Sequence, residues 1–186
     1  MVRPTEVDWQ VHESQLVVDN HEQFIADCHL IHDKFKREYP DRDSTWAYGR
    51  YNVFSLASPM PLWYDLYSDL SYVIRGYITS HSLDTHKPLW IQSWLNFHKS
   101  AEVLEWHNHD WPYHGYISIN PCKTTTVFEG YKIENKIGGI YIGPGDRKHK
   151  VRVDEEFDST RITLGFDITD QPHTTPSELW SLMPLL

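Results

Sequence analysis

Apolar residues recur with helical spacing through the first half of the chain. Between Asn20 and Glu38, Phe24, Cys28, Ile31 and Phe35 stand 4, 3 and 4 residues apart, which places them on one face of an α-helix. Asp19 with Glu22 three residues on reads as a capping pair ahead of that helix, and Tyr39-Pro40 as its stop. A second helix is expected from about Pro61, with Leu62, Leu66, Leu70, Val73 and Tyr77 on one stripe and Gly76 weakening its end. Two amphipathic helices of this kind are expected to act as scaffold, their apolar stripes laid on a sheet.

From Leu89 the period changes from 3.6 to 2. Trp90, Gln92, Trp94, Asn96 and His98 alternate with Leu89, Ile91, Leu95 and Phe97. Further short strands are expected at about 102–107, 114–120, 123–129, 139–143, 147–153 and 159–168, separated by Asn120-Pro121, Gly130, Gly138-Gly139 and Gly143-Pro144-Gly145. The alternation gives each strand two unlike sides. Ile162, Leu164, Phe166 and Ile168 oppose Arg161, Thr163, Gly165 and Asp167, and Ile117 and Ile119 oppose His114, Tyr116, Ser118 and Asn120. Tyr141 likewise opposes Ile140 and Ile142. Many short strands after two helices predict a mainly β, α+β fold, a sandwich or barrel buttressed by helices. Where the polar-aromatic sides converge, such a barrel has a lumen that can hold a ligand.

Composition narrows the picture. The chain has 186 residues, one domain's worth, with residues 1–87 read as helical support, 88–168 as the β core and 169–186 as a tail. Seventeen Lys and Arg against 26 Asp and Glu give a formal charge of −9, which argues against gripping a nucleic-acid backbone. Two cysteines, Cys28 and Cys122, form no C-x-x-C pair and no disulfide framework, which points to a reducing compartment. No segment has the apolar length of a membrane span, and Met1 to Glu6 shows no apolar stretch of a signal peptide, so a soluble, cytoplasmic protein without membrane contact is expected. The stock of 12 histidines and 26 aromatic residues (8 Trp, 11 Tyr and 7 Phe) is high for this length.

The most informative segment is Glu105-Trp106-His107-Asn108-His109-Asp110. On a strand, His107 and His109 project to one side, and two imidazoles so placed can share a divalent ion. His149, following the turn Gly143-Pro144-Gly145-Asp146, is the natural third ligand, and a set of three protein ligands leaves coordination positions open, as a catalytic ion requires. The alternative is an ordinary surface pair of histidines. Downstream, Arg161 and Thr163 share a face, and a guanidinium with a hydroxyl at that spacing can hold a carboxylate. Equally, Arg161 can pair with a nearby acid such as Glu155 or Asp158. His12, His21, His29, His32, His81, His86 and His173 have no ligand spacing and read as surface residues, whereas His98 and His114 stand close enough to the lumen to support the ligands.

The order His-x-His, then His114-Gly115-Tyr116-Ile117-Ser118, then Gly-Pro-Gly-x-x-x-His149 and Arg161-Ile162-Thr163 resembles the Fe(II)- and 2-oxoglutarate-dependent dioxygenases, closest to their small prolyl-hydroxylase-like branch. The resemblance covers about residues 88–168. It implies a distorted double-stranded β-helix (a jelly-roll, cupin-like core), Fe(II) on a facial triad, and 2-oxoglutarate chelating the iron. It implies hydroxylation of a substrate C–H bond with release of succinate and CO2. Carried over, His107 and His149 match the two family histidines, and Arg161 with Thr163 the pair that holds the distal carboxylate of the cosubstrate. Tyr116, Asn96 and Tyr141 on the lumen face are candidates to line the cosubstrate pocket. Trp94, His114 and the loop residues Trp111 and Tyr113 are candidates for the substrate pocket, which would take a small molecule or a peptide.

This chain departs from the family in the middle, having His109 where the motif carries a carboxylate. Either His109 ligates, giving three imidazoles, or Asp110 swings in from the loop; strand alternation favours His109. Three neutral imidazoles leave a ferrous centre at +2, which attracts a dianionic cosubstrate but favours the ferrous state. Two other classes share these residues. One is a three-histidine mononuclear dioxygenase or other cupin-type metalloenzyme that uses no 2-oxoglutarate, and the other a non-catalytic β-barrel that binds through its aromatic residues.

Overall fold

A computed structural model of the chain describes residues 7–38, 51–57, 60–81, 87–102, 105–171 and 181–185. Strand β1 (Gln10–Glu13) leads into helices α1 (Gln15–Asp19), α2 (His21–Glu38), α3 (Val53–Ala57) and α4 (Pro61–Ser80). Strands β2 (Trp90–His98), β3 (Tyr113–Asn120), β4 (Thr124–Phe128), β5 (Tyr131–Glu134), β6 (Gly139–Pro144), β7 (His149–Val153), β8 (Arg161–Thr169) and β9 (Met183–Pro184) follow. They form a six-stranded sheet in the order β1-β6-β3-β8-β2-β9 and a three-stranded sheet in the order β5-β4-β7, with every pairing antiparallel.

The two long helices form where the apolar spacing places them. Phe24, Cys28, Ile31 and Phe35 of α2 and Leu66, Leu70 and Tyr77 of α4 are all buried, whereas Leu62 and Val73 of the expected α4 stripe are only partly buried and Ile74 is buried in their place. Pro61 stands in the first turn of α4, where its missing N–H costs nothing. Asp19 lies inside α1, accepting from Gln15 Nε2, so it does not stand ahead of α2 as a cap; Ser14 caps α1 by accepting from Val17 N. The helical stripes meet one face of the larger sheet, and Ile91, Leu95, Ile117, Ile140, Ile142, Ile162, Leu164, Phe166 and Ile168 join them in a single core. Each such side chain contributes roughly 1.5–3 kcal/mol on burial, so this layer dominates the favourable term in folding.

The other face of that sheet looks toward the smaller one. Register sets what it presents. His98, Asn96, Trp94 and Gln92 of β2 stand opposite Arg161, Thr163, Gly165 and Asp167 of β8, and β3 places Ser118, Tyr116 and His114 opposite Thr163, Gly165 and Asp167. A polar and aromatic layer therefore lines the space between the sheets.

Three strands arise where short alternation gave little signal. β1, β5 and β9 have 4, 4 and 2 residues, and β1 and β9 exist by pairing with β6 and β2 at the sheet's edges. The strand expected at 102–107 is not regular among the described residues, where only His107 makes an isolated bridge. Tyr39-Pro40, His86 and His173 lie outside the described residues. Among the described residues, no helix is long and apolar enough to cross a membrane.

Candidate metal centre

Three histidines converge at one end of the space between the sheets. His107 and His149 exchange two backbone hydrogen bonds, His107 N to His149 O at 3.0 Å and His149 N to His107 O at 2.9 Å. The next residue but one, His109, is tied to the β6–β7 turn, donating its amide to Gly145 O at 2.9 Å. Backbone pairing thus fixes all three around one turn, and their ligand atoms lie within 4.8 Å of one another. Asp110 is exposed and belongs to neither cluster of this kind.

Each ring has its Nδ1 engaged. His107 Nδ1 bonds Glu105 O at 2.7 Å, His149 Nδ1 bonds Arg147 O at 3.0 Å, and His109 Nδ1 bonds Asp167 Oδ2 at 3.2 Å. A neutral imidazole that donates from Nδ1 carries its lone pair on Nε2. At His109 that Nε2 is buried and has no hydrogen-bond partner. An orphaned basic nitrogen in a buried site is costly unless something coordinates it, and a metal ion held by imidazole fits the donor set. Burial holds the His149 ring to a pKa of about 2 and that of His114 to about 4, in both cases with neighbouring imidazoles adding to the effect. Burial also lowers the pKa of His107. Metal binding requires the neutral ring, and these rings are neutral near pH 7.

Sharing His109 with these three histidines is a second cluster. His114 Nδ1 bonds Asp167 Oδ1 at 2.9 Å, so one carboxylate receives both His109 and His114. Burial raises the pKa of Asp167, but the bonds from these histidines outweigh it and hold it below the usual carboxylate value. The His109 and His114 rings stack with centroids 3.6 Å apart.

The same cavity, about 30 Å³, is lined by the three histidines, His114, Trp94, Asn96, Tyr116, Arg161 and Thr163, with Thr126, Val151 and Gly165 completing the wall. Arg161 is 2% exposed. Its Nε donates to Thr124 Oγ1 at 3.3 Å and its Nη1 lies 3.5 Å from His98 Nδ1. Among the described residues no carboxylate pairs with it, so the expected alternative partners Glu155 and Asp158 do not hold it. Burial lowers its pKa to about 10, and burial together with Arg161 lowers that of His98 to about 4, leaving the guanidinium as the cation. Asn96 Nδ2 donates to Thr163 Oγ1 at 3.3 Å, while Asn96 Oδ1 is buried without a partner.

No family model matches this chain, and no curated protein matches it. Solved structures do. The non-heme alpha-ketoglutarate-dependent carbocyclase SnoK of nogalamycin biosynthesis is 12% identical with a TM-score of 0.62, over 96% of this chain and 87% of that one. The non-heme alpha-ketoglutarate-dependent epimerase SnoN of the same biosynthesis is 9% identical with a TM-score of 0.53, over 88% and 76%. The non-heme monooxygenase ThoJ, in complex with nickel, is 12% identical with a TM-score of 0.53, over 96% and 76%. The fold is the one these non-heme enzymes share.

The remaining candidates divide by strand face. Trp94, Asn96, His114, Tyr116 and Thr163 reach the cavity. Tyr141 lies one layer behind, its ring on Tyr116 and its hydroxyl 2.9 Å from that of Tyr131. Tyr113 points to the helical side, edge-on to Tyr77, and Trp111 is half-buried outside the cavity lining. Among the described residues, the histidines read as surface residues are more sheltered than expected: only His29 is exposed, and His32 stacks on Phe97. Asp167 had a visible signal, sharing the polar side of its strand with Arg161 and Thr163, but nothing in the sequence showed that two histidines converge on it.

Proposed function

We propose that this protein is an Fe(II)- and 2-oxoglutarate-dependent oxygenase of the small prolyl-hydroxylase-like kind, its two sheets forming a distorted double-stranded β-helix. The observation that carries the reading is one cavity holding both a three-imidazole cluster and a buried arginine with no carboxylate partner. His107, His109 and His149 would hold the iron, and Arg161 with Thr163 the distal carboxylate of 2-oxoglutarate. When bound, iron and 2-oxoglutarate with dioxygen supply the oxidation of a C–H bond: R–H, O2 and 2-oxoglutarate give R–OH, succinate and CO2. The protein's part is placement. The Arg161 charge is preformed and dry, so it binds a carboxylate without reorganising. Trp94, Tyr116 and Val151 line the same cavity as Arg161. The substrate is then a small molecule or a single side chain of a peptide.

Anaerobic titration with Fe(II) and then 2-oxoglutarate tests this. A visible charge-transfer band is expected on adding 2-oxoglutarate. Arg161→Ala is expected to weaken 2-oxoglutarate binding by roughly 10- to 150-fold, the worth of a charge-assisted bond of about 1.5–3 kcal/mol, with Fe(II) affinity kept. Absence of the band, or unchanged cosubstrate affinity in that variant, overturns the assignment. The all-imidazole ligand set favours one second reading, a three-histidine dioxygenase without a cosubstrate. Oxygen uptake with no succinate released would support it instead.

A further inference from the structure

Asp167 is 1% exposed, stands on β8 opposite His114, and carries a charge that no Lys or Arg balances among the described residues. Its only hydrogen-bond donors there are the two imidazoles, His114 at 2.9 Å and His109 at 3.2 Å. A buried carboxylate with no Lys or Arg beside it among the described residues depends on these two ring N–H groups to stay in place. Its position answers the departure seen in the sequence: the ligand triad has an imidazole, His109, where a carboxylate would have lowered the charge of the centre.

We infer that Asp167 is a positioning residue that returns this missing negative charge to the metal site from one bond further out, through His109. Accepting from Nδ1 fixes the His109 tautomer, keeps Nε2 unprotonated toward His107 and His149, and raises the basicity of the ring as a ligand. With a divalent ion, three neutral rings and one carboxylate sum to +1, the same as two rings and a coordinated carboxylate. His114 supplies the second N–H that holds the carboxylate in place, and its ring, stacked at 10° on His109, braces the ligand from behind. The cluster of His109, His114 and Asp167 also lies close enough to hold an ion; here it serves as the hydrogen-bonded support of the triad. Its nitrogen–oxygen separations of 2.9 and 3.2 Å are those of direct hydrogen bonds. This inference rests on the reading of His107, His109 and His149 as the ligands.

Co(II), added alone to the full chain, is the probe, read by its visible ligand-field spectrum and by competition with a chelator. Asp167 Oδ1 lies within 3.2 Å of both ring nitrogens, so Asp167→Asn keeps an acceptor there and removes the charge. It is expected to weaken Co(II) binding about tenfold or more, and Asp167→Ala, which also frees the ring, by about a hundredfold. Thermal unfolding of the apo-protein separates this from damage to the fold: Asp167→Asn is expected to keep one cooperative transition with a modestly lowered midpoint, since the ring N–H groups keep an acceptor but lose its charge. Asp167→Glu is expected to recover part of the affinity. Unchanged Co(II) affinity and spectrum in Asp167→Asn overturn the role of Asp167 while leaving the ligand triad standing. Loss of binding in His114→Ala but not in His107→Ala also overturns it, because the carboxylate would then be a ligand itself. Failure of wild type to bind Co(II) overturns the triad, and this inference with it.

Discussion

At the scale of single residues, the proposed metal centre depends on side chains that line no part of the three-histidine cluster itself. Trp94 lies flat beside His109 and His114, with ring centroids 5.8 and 6.2 Å away, and Gly165 on the neighbouring strand makes room for its indole. A Cβ at position 165 would stand 2.6 Å from Trp94 Cε2, closer than packed carbons can approach. Gly165→Ala is therefore expected to cost about 1–3 kcal/mol as the indole or the strand shifts. It should also weaken Co(II) binding, since the displaced ring presses on both histidines. Urea unfolding gives the first quantity and chelator competition the second; an unaltered midpoint would show that the indole can move at no cost. The side of the strand on which Gly165 and Asp167 lie was legible from alternation alone. What each touches was not, because contact across β2 and β3 depends on register between segments about 50 to 70 residues apart.

At the scale of elements, the decisive piece is the β6–β7 turn. Gly145 donates its amide to Pro112 O at 3.0 Å and accepts from His109 N at 2.9 Å, which clamps the irregular segment carrying His107 and His109. A side chain at 145 would collide with the Trp111 carbonyl, its Cβ only 1.9 Å from the oxygen, so the clamp needs glycine for close approach. Gly145→Ala is expected to displace the His109 segment and reduce Co(II) affinity tenfold or more, because a site loosened by an ångström loses its geometry. Far-UV circular dichroism should remain close to wild type, since the core of sheet and helices lies elsewhere. Retained affinity would mean that the segment is held by its side chains instead. The pair His107 and His109 was expected to share a face through strand alternation. They do converge, but on a bridge and a turn rather than by alternation along one strand.

For the whole molecule, the buried imidazoles couple the site to stability. Burial, reinforced by neighbouring charges, holds His98 and His114 to pKa values of about 4 and His149 to about 2, against an ordinary value of 6.5. Below about pH 6.5 the unfolded chain takes up protons that the native rings refuse, so stability falls as the pH drops toward 4. Each such group contributes roughly 1.4 kcal/mol per pH unit in that window. The apo-protein is expected to show a thermal midpoint that declines from pH 7 to pH 5, and His149→Asn a shallower decline. Equal slopes in the two proteins would show that His149 is protonated in the native state. A bound divalent ion would raise stability at neutral pH by mass action and steepen the same acid limb.

The sequence by itself determined the long helices, most strands and the polar side of each, because periodicity is local and every residue on a face reports it. It also marked His107, His109, His149, Arg161 and Thr163, since ligand chemistry restricts residue type. The edge strands β1 and β9, the place of Tyr113 on the helical side, and the attachment of two histidines to Asp167 were decided only by tertiary structure. These depend on which distant segments pair and in what register, and no local pattern encodes that.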